Sequence, residues 1–294
     1  MSAKVKALTL TIVANITSNY GEGLGNISTV QKIYKNNKQY ASRSKESLKN
    51  ATCVQSGFYD DLQTVVNGAV QKFADKNTNA GNNRALEGGY LTTGDLTYKR
   101  NSSFYFTDAV STDYFINDTR FHNNLYLATN FAEHNGYNVQ ADGGKVGLMP
   151  YQYEFDKTMK IYSLTIALDE IGVDKNFGTE ADKEEKIARV EALLDAVANL
   201  SLQVKGSMDN AEPIFVVGGL SSRKTHLFEN VVSVKNTRLL TQPIKEKMGE
   251  KFACGIIRNG QFVNEDEIIR ELSPKSTTQF FNDIKAQVRD YYNQ

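Results

Sequence analysis

The run Asn19-Tyr-Gly-Glu-Gly-Leu-Gly-Asn26 places Gly21, Gly23 and Gly25 at alternate positions directly after an alternating apolar segment. Glycines so spaced let backbone N–H groups approach an anion closely. Gln31, Lys32, Lys35 and Lys38 follow, and then Arg43, Ser44, Lys45 and Lys49, which add positive charge and hydroxyl donors. This is the chemistry of a phosphate chain, whether a nucleotide cofactor or a polymer. A second basic turn, Gly218-Gly-Leu-Ser-Ser-Arg-Lys-Thr225, offers Ser221, Ser222, Arg223 and Lys224. There arginine would grip a backbone phosphate as a fork, lysine as a point charge and the hydroxyls as donors.

Each turn departs from the enzyme motif nearest to it. The first reads Gly-x-Gly-x-Gly rather than Gly-x-Gly-x-x-Gly. Arg43, Ser44 and Lys45 stand where a dinucleotide site wants an acid for the ribose. The second nearly matches a P-loop, but Arg223 replaces the glycine before the lysine and would crowd the phosphate cradle. His122, His134 and His226 are scattered without partners at metal-ligand spacing, so no metal or other cofactor is expected. No Ser–His–Asp set or paired-carboxylate motif stands out, and the reading is of a non-enzyme.

One alternative belongs to another class, a nucleotide-binding enzyme using Gly218–Thr225.

Composition permits a sizeable core: 294 residues, 40% hydrophobic and 23% charged. Basic and acidic residues balance at 34 each, yet they are unevenly placed. Residues 1–50 carry eight basic side chains against Glu22 and Glu46, whereas acids concentrate between 169 and 195. Such a chain can bind a polyanion with one face or stack head to tail on itself. Cys53 and Cys254 are too few for a disulfide scaffold, no signal peptide opens the chain, and no apolar run could span a bilayer. A soluble cytoplasmic protein with reduced thiols is expected.

The elements that must position these residues follow from periodicity. Leu8 to Ile16 alternate as a strand, a helix is expected over about 42–57, and Tyr162 to Leu168 alternate as a second strand. Thr179, three residues before Asp182, marks a helix start, and Ile187, Val190, Leu193, Val197 and Leu200 give that helix its apolar stripe. Ile214–Val217 reads as a buried strand running into the Gly218-Gly219 turn, Val231–Val234 as another strand and 256–263 as a hairpin about Asn259-Gly260. A last helix spans about 276–292. Residues 60–150, rich in Asn, Gly, Thr and aromatics, read as an irregular insertion with short strands such as 103–107. Arg84, Arg100, Arg120 and Lys145, among its tyrosines and phenylalanines, suggest a groove for a single strand. The order β, α, insertion, β, α, β is close to a ferredoxin-like α+β fold, an antiparallel sheet with helices on one face.

Several segments together resemble the backbone subunit of CRISPR type I Cascade, in its DevR-like, type I-B form. They are Thr11–Ile27, Arg43–Leu48, Asn82–Tyr90, Asn117–Leu125, Gly147–Tyr153 and Gly218–Arg223, and they run through most of the chain. The resemblance implies a modified RNA-recognition fold of the RAMP superfamily, with residues 1–60 and 155–294 as palm and 61–154 as an inserted finger and thumb region. It implies copies polymerised head to tail along CRISPR RNA, beside other Cascade subunits, with target DNA reached by pairing to the guide. By position, Asn19–Asn26 and Arg43–Lys49 would contact RNA. The 120–124 and 145–151 segments, with Arg120, His122, Asn123, Lys145 and Met149, would reach over the strand or toward the next subunit. The aromatic pattern of ordinary RNA-recognition modules is missing, so base stacking on the central sheet is not expected. The resemblance also implies an alternative, a metal-dependent RNA endonuclease of the same superfamily, for which Asp108, Asp113 and Asp118 are only generic candidates; the type I resemblance implies no nuclease activity.

Overall fold

A computed structural model describes residues 4–21, 27–92 and 97–294, and Gly23, Gly25 and Asn26 lie outside the described residues. The fold is built outward from β1 (Ala7–Thr17), whose alternate side chains serve two cores. Leu8, Leu10, Ile12, Ala14 and Ile16 face one core and Val13 the other, all fully buried. Burial on both sides puts β1 at the centre of the sheet.

Its neighbours are β8 (Lys157–Ala167) and β9 (Pro213–Ser221), both antiparallel, with Ala7 opposite Ala167 and Ser221. Beyond β8 come β4 (Phe104–Phe106) and β5 (Ala109–Ser111), then β3 (Lys38–Arg43) and the edge strand β2 (Lys32–Lys35). Beyond β9 lies β10 (Ala253–Ile256). Between β1 and β4 the chain forms α1 (Lys45–Gln55), and between β8 and β9 it forms α3 (Lys183–Ala198). The central strands thus follow the expected ferredoxin-like order, β9-β1-β8-β4/β5, in a mixed α+β fold.

Strands β4 and β5 come from within 61–154, so this segment does not lie wholly outside the central sheet. The rest of it carries β6 (Thr119–His122), α2 (Leu125–Asn135) and β7 (Tyr151–Glu154). The sequence reading held no helix here. Only Ala128 and Ala132 of α2 are buried, against Val146, while Leu125, Tyr126, Leu127 and Phe131 are exposed, so no apolar stripe marks it.

Helices α1, α3 and α6 (Thr277–Asn293) cover one face. The other face is also covered: Phe215 and Val217 of β9 pack with Ile244 of α4 (Thr241–Met248) and Ile268 of α5 (Glu265–Leu272). Helices on one face only was therefore an incomplete expectation.

Local chemistry moves several other boundaries. Ser42 and Arg43 belong to β3, because the Ser42 N–H donates to Gln31 O at 2.8 Å; α1 starts after Ser44, whose Oγ accepts from Ser47 N. The N-cap of α3 is Asp182, accepting from Glu185 N at 2.7 Å, while Thr179 sits in a two-residue strand. Residues 256–263 form no hairpin. Glu265 Oε2 takes the amides of Asn259 and Gly260, turning the chain into α5. The Val231 and Val232 amides bond to Phe228 O in a turn, leaving only Val234–Lys235 as strand.

Gly218-Gly219 form no turn, since β9 runs through both. A Cβ on Gly218 would stand 2.0 Å from Thr9 O and 2.9 Å from Leu10 Cα. That glycine exists so that two backbones can pack. Gly218→Ala is expected to lower the urea-unfolding stability by about 2 kcal/mol or more, because backbone must move to admit the methyl.

Candidate nucleic-acid interface

β1 is eleven residues long, so its two ends lie roughly 33 Å apart at about 3.3 Å per residue. At one end stand Ala7, Ala167 and Ser221; at the other, Thr17 and Asn19. This separates the two basic turns of the sequence. Ser221 Oγ accepts from Arg223 N, Ser222 is half-buried and Arg223 exposed, and Lys224 ion-pairs with Asp169 at 2.7 Å and Glu170 at 2.5 Å. Although burial opposes it, those carboxylates hold the Lys224 amine above its ordinary pKa. Arg84 is engaged with Glu185 through two bonds of 2.8 and 2.7 Å, on the first turn of α3.

The Thr17 end gathers the remaining residues. Asn19 O accepts from Gln31 N at 2.8 Å, and Gly21 N donates to Thr29 O at 2.9 Å, so residues 17–21 and 27–32 run side by side as two arms. Asn19 Oδ1 accepts from Ser44 N at 2.9 Å, which ties the entering arm to the N-terminus of α1. Lys45 beside it is exposed, its backbone amide on Asp108 Oδ1. Asp113 accepts hydroxyl contacts from Thr112 at its carboxylate and from Ser111 at its backbone O, and Asp118 accepts through its backbone from Phe155 N, so these contacts join the three aspartates in no shared site.

Three predicted contacts face inward instead. Arg43 is 6% exposed and donates to Thr17 O, with its Nε unpartnered, and burial lowers its pKa. Lys32 pairs with Glu154 at 2.5 Å. Lys49 donates to Gly88 O and Ser102 Oγ, and burial lowers its pKa as well.

The exposed surface at this end is aromatic and cationic. β6 and β7 pair antiparallel, Arg120 opposite Tyr153 and His122 opposite Tyr151, while Ser28 pairs with Tyr153 on the other side. Residues directly opposite share a face. The His122 ring therefore stacks on Tyr153 at 4.8 Å and on Tyr151 at 5.5 Å, and Tyr153 meets Tyr20 edge-on at 5.8 Å. Lys205 closes the strip, with Nζ 4.9 Å from the Tyr20 ring and 3.2 Å from Ser28 Oγ. Arg120 lies over Phe155 at 3.4 Å. Burial, with Tyr153 nearby, pushes the Tyr20 phenol up to about 12, so it stays a neutral ring and hydrogen-bond donor. Next to the strip, Asn123 Oδ1 accepts from Leu125 N, Asn124 Oδ1 accepts from Met149 N, and Lys145 pairs with Asp142 at 2.9 Å; Asn123, Met149 and Lys145 are exposed.

Flat rings interleaved with cations suit an unpaired nucleic-acid strand: rings stack on bases and cations answer phosphates. Tyr153 and Lys205 lie outside the segments expected to contact RNA, whereas Tyr20 and Tyr151 fall within the expected 19–26 and 145–151 segments without being singled out. The alternation Tyr151-x-Tyr153 signalled a face, but its pairing with residues 120–122 is long-range.

The acidic stretch 169–195 forms no acidic face. Lys186 pairs with Glu180, Arg289 with Glu191 and Lys285 with Asp195, in addition to the Arg84 and Lys224 pairs. Among the described residues no cluster of three or more His, Cys, Asp or Glu could hold a metal ion, and no helix is long and apolar enough to cross a membrane.

Residues 8–237 match the family described as CRISPR-associated negative auto-regulator DevR/Csa2. No curated protein matches the chain. Among solved structures, a chain of a "CRISPR RNA-guided surveillance complex, pre-nicking" is similar at TM-score 0.62 and 10% identity, covering 97% of this chain and 100% of its own. A chain of a "CRISPR RNA-guided surveillance complex" is similar at TM-score 0.57 and 12% identity, covering 96% of this chain and 99% of its own. At such identities the likeness is one of fold.

Two carboxylates, one behind this surface and one at the far end of β1, make stability pH-dependent. Burial alone would raise the pKa of Asp209, but hydrogen bonds from Lys157 and Thr17 outweigh it and hold the pKa below the ordinary value. Glu185 is held low first by Arg84 and also by Arg189. Folded pKa values below unfolded ones mean stability that is present above about pH 4 and lost as the pH falls through the folded values. The thermal midpoint followed by circular dichroism is therefore expected to drop below about pH 4, and Asp209→Asn to flatten part of that dependence.

Proposed function

Since the chain belongs to the CRISPR-associated DevR/Csa2 family, we propose that it is a non-catalytic, CRISPR RNA-binding backbone subunit of a Cascade-type surveillance complex. The observation that carries the reading is the continuous strip Lys205–Tyr20–Tyr153–His122–Tyr151 beside the paired arms. Copies would stack head to tail along the guide in a type I, specifically I-B, complex in the cytoplasm, next to other Cascade subunits. A guide holder must grip phosphates and sugars and leave base edges free, so that target DNA is read by pairing. Head-to-tail stacking is a heterologous contact that does not close and yields a helical filament.

In this reading the palm comprises residues 1–60 and 155–294 together with β4 and β5. The β6–α2–β7 unit is the thumb and the earlier part of the insertion the finger. Asn19, Gly21, Ser44, Lys45, Arg120, His122 and Asn123 face RNA with the strip, Lys145 and Met149 border it, and Gly23, Gly25 and Asn26 keep the sequence-based assignment. Gln31, Lys32, Arg43 and Lys49 act from behind by holding these elements. Ser221–Lys224 and Arg84, at the far end of β1, serve contacts other than this RNA path.

Size-exclusion chromatography of protein expressed with a repeat–spacer RNA, read at 260 and 280 nm, tests the proposal. Co-elution in a large RNA-protected assembly is expected; a nucleic-acid-free monomer, even with its partner subunits present, would sink it. Replacing His122 and Tyr153 with alanine is expected to weaken single-stranded RNA binding by about 1–3 kcal/mol per lost base stack. Lys205→Ala is expected to weaken binding alike for all sequences and to reduce the salt slope by about 1.

A further inference from the structure

Strand β7 carries Tyr151 and Tyr153 on one face, so Glu154 projects from the other. Its Oε2 accepts from Val30 N at 2.9 Å and from Lys32 Nζ at 2.5 Å, both on the returning arm. Two residues further on, Asp156 holds the entering arm: its backbone O accepts from Ser18 N at 3.0 Å and its Oδ2 from Ser18 Oγ at 2.7 Å. Lys160, fully buried, fixes that carboxylate at 2.5 Å while donating to Ile16 O at 2.7 Å. Asp209 adds a bond from Thr17 N at 2.7 Å.

Both arms are thus tied to the short stretch 151–156 that also bears the stacked tyrosines. An acid beside a polyanion path opposes binding through its charge. Its service there is geometric.

We propose that Glu154 is a positioning residue, which locks the Ile27–Lys32 arm to β7 so that the arms and the aromatic strip meet one RNA strand as a single rigid surface. The proposal rests on the RNA-binding reading. A shared anchor means that ordering either element orders the other, so the ordering cost on binding is shared.

Charge and geometry predict opposite results for Glu154. Glu154→Asp keeps the charge and withdraws the carboxylate by one methylene, whereas Glu154→Gln loses the charge and keeps an acceptor within reach of Val30 N. On the full-length protein with a single-stranded repeat–spacer RNA, Glu154→Asp is expected to weaken binding about fivefold, the weight of one hydrogen bond, with the salt slope unchanged. Glu154→Gln is expected to stay closer to the unsubstituted protein. Without RNA, hydrogen exchange at the Val30 amide is expected to quicken in Glu154→Asp more than in Glu154→Gln.

Equal or tighter binding by Glu154→Asp, or unchanged exchange at Val30, overturns the positioning role. Absence of RNA binding by the unsubstituted protein defeats the RNA-binding reading instead, and the exchange comparison still decides whether Glu154 holds the arm.

Discussion

The constraint on which the rest depends is the burial of β1 on both faces and its pairing on both edges. A strand so enclosed cannot shift register without moving its apolar set into the wrong core. Gly218 shows how tight the packing is, since even a methyl there would strike the carbonyl of Thr9. Once β1 is fixed, the described segments that carry the candidate residues sort toward one end of it or the other. The 221–224 turn goes with residues 167–172, and the paired arms go with β6, β7 and the 201–210 hairpin.

Charge follows the same division. The chain is neutral overall, and most of its unevenness along the sequence is cancelled in space. Acids of 169–195 meet Arg84, Lys224, Lys285 and Arg289 drawn from far along the chain, and Lys186 from within the stretch. Several N-terminal cations likewise turn inward. Arg43 caps the Thr17 carbonyl, Lys32 serves Glu154, and Lys49 closes on Gly88 and Ser102. What faces solvent at the candidate interface is less a basic patch than a set of rings with a few well-spaced cations.

Periodicity made the frame legible. The alternation of Leu8–Ile16 and of Tyr162–Leu168, and the stripe of α3, are local signals that burial enforces, and the ferredoxin-like order followed from them. The resemblance of scattered segments to the DevR-like CRISPR-associated family was legible too, and the family match bears it out. Partnership was not legible. No local pattern tells that Lys224 lies against Glu170, that Arg43 is buried, or that Glu265 rather than a hairpin takes the Asn259 and Gly260 amides. Helix α2 escaped because it shows its large side chains to solvent and buries only alanines. Lys205 escaped because it becomes a neighbour of Tyr20 only through the fold.

The strip joins residues 20, 122, 151, 153 and 205, which adjoin only when distant parts of the chain have met. Contacts of such sequence separation form after the local ones, since long loops must close first. A chain emerging from the ribosome therefore lacks the complete surface until its 201–210 hairpin has been made and has docked beside Ser28. The order of synthesis thus withholds the finished surface from nucleic acid until most of the fold is in place.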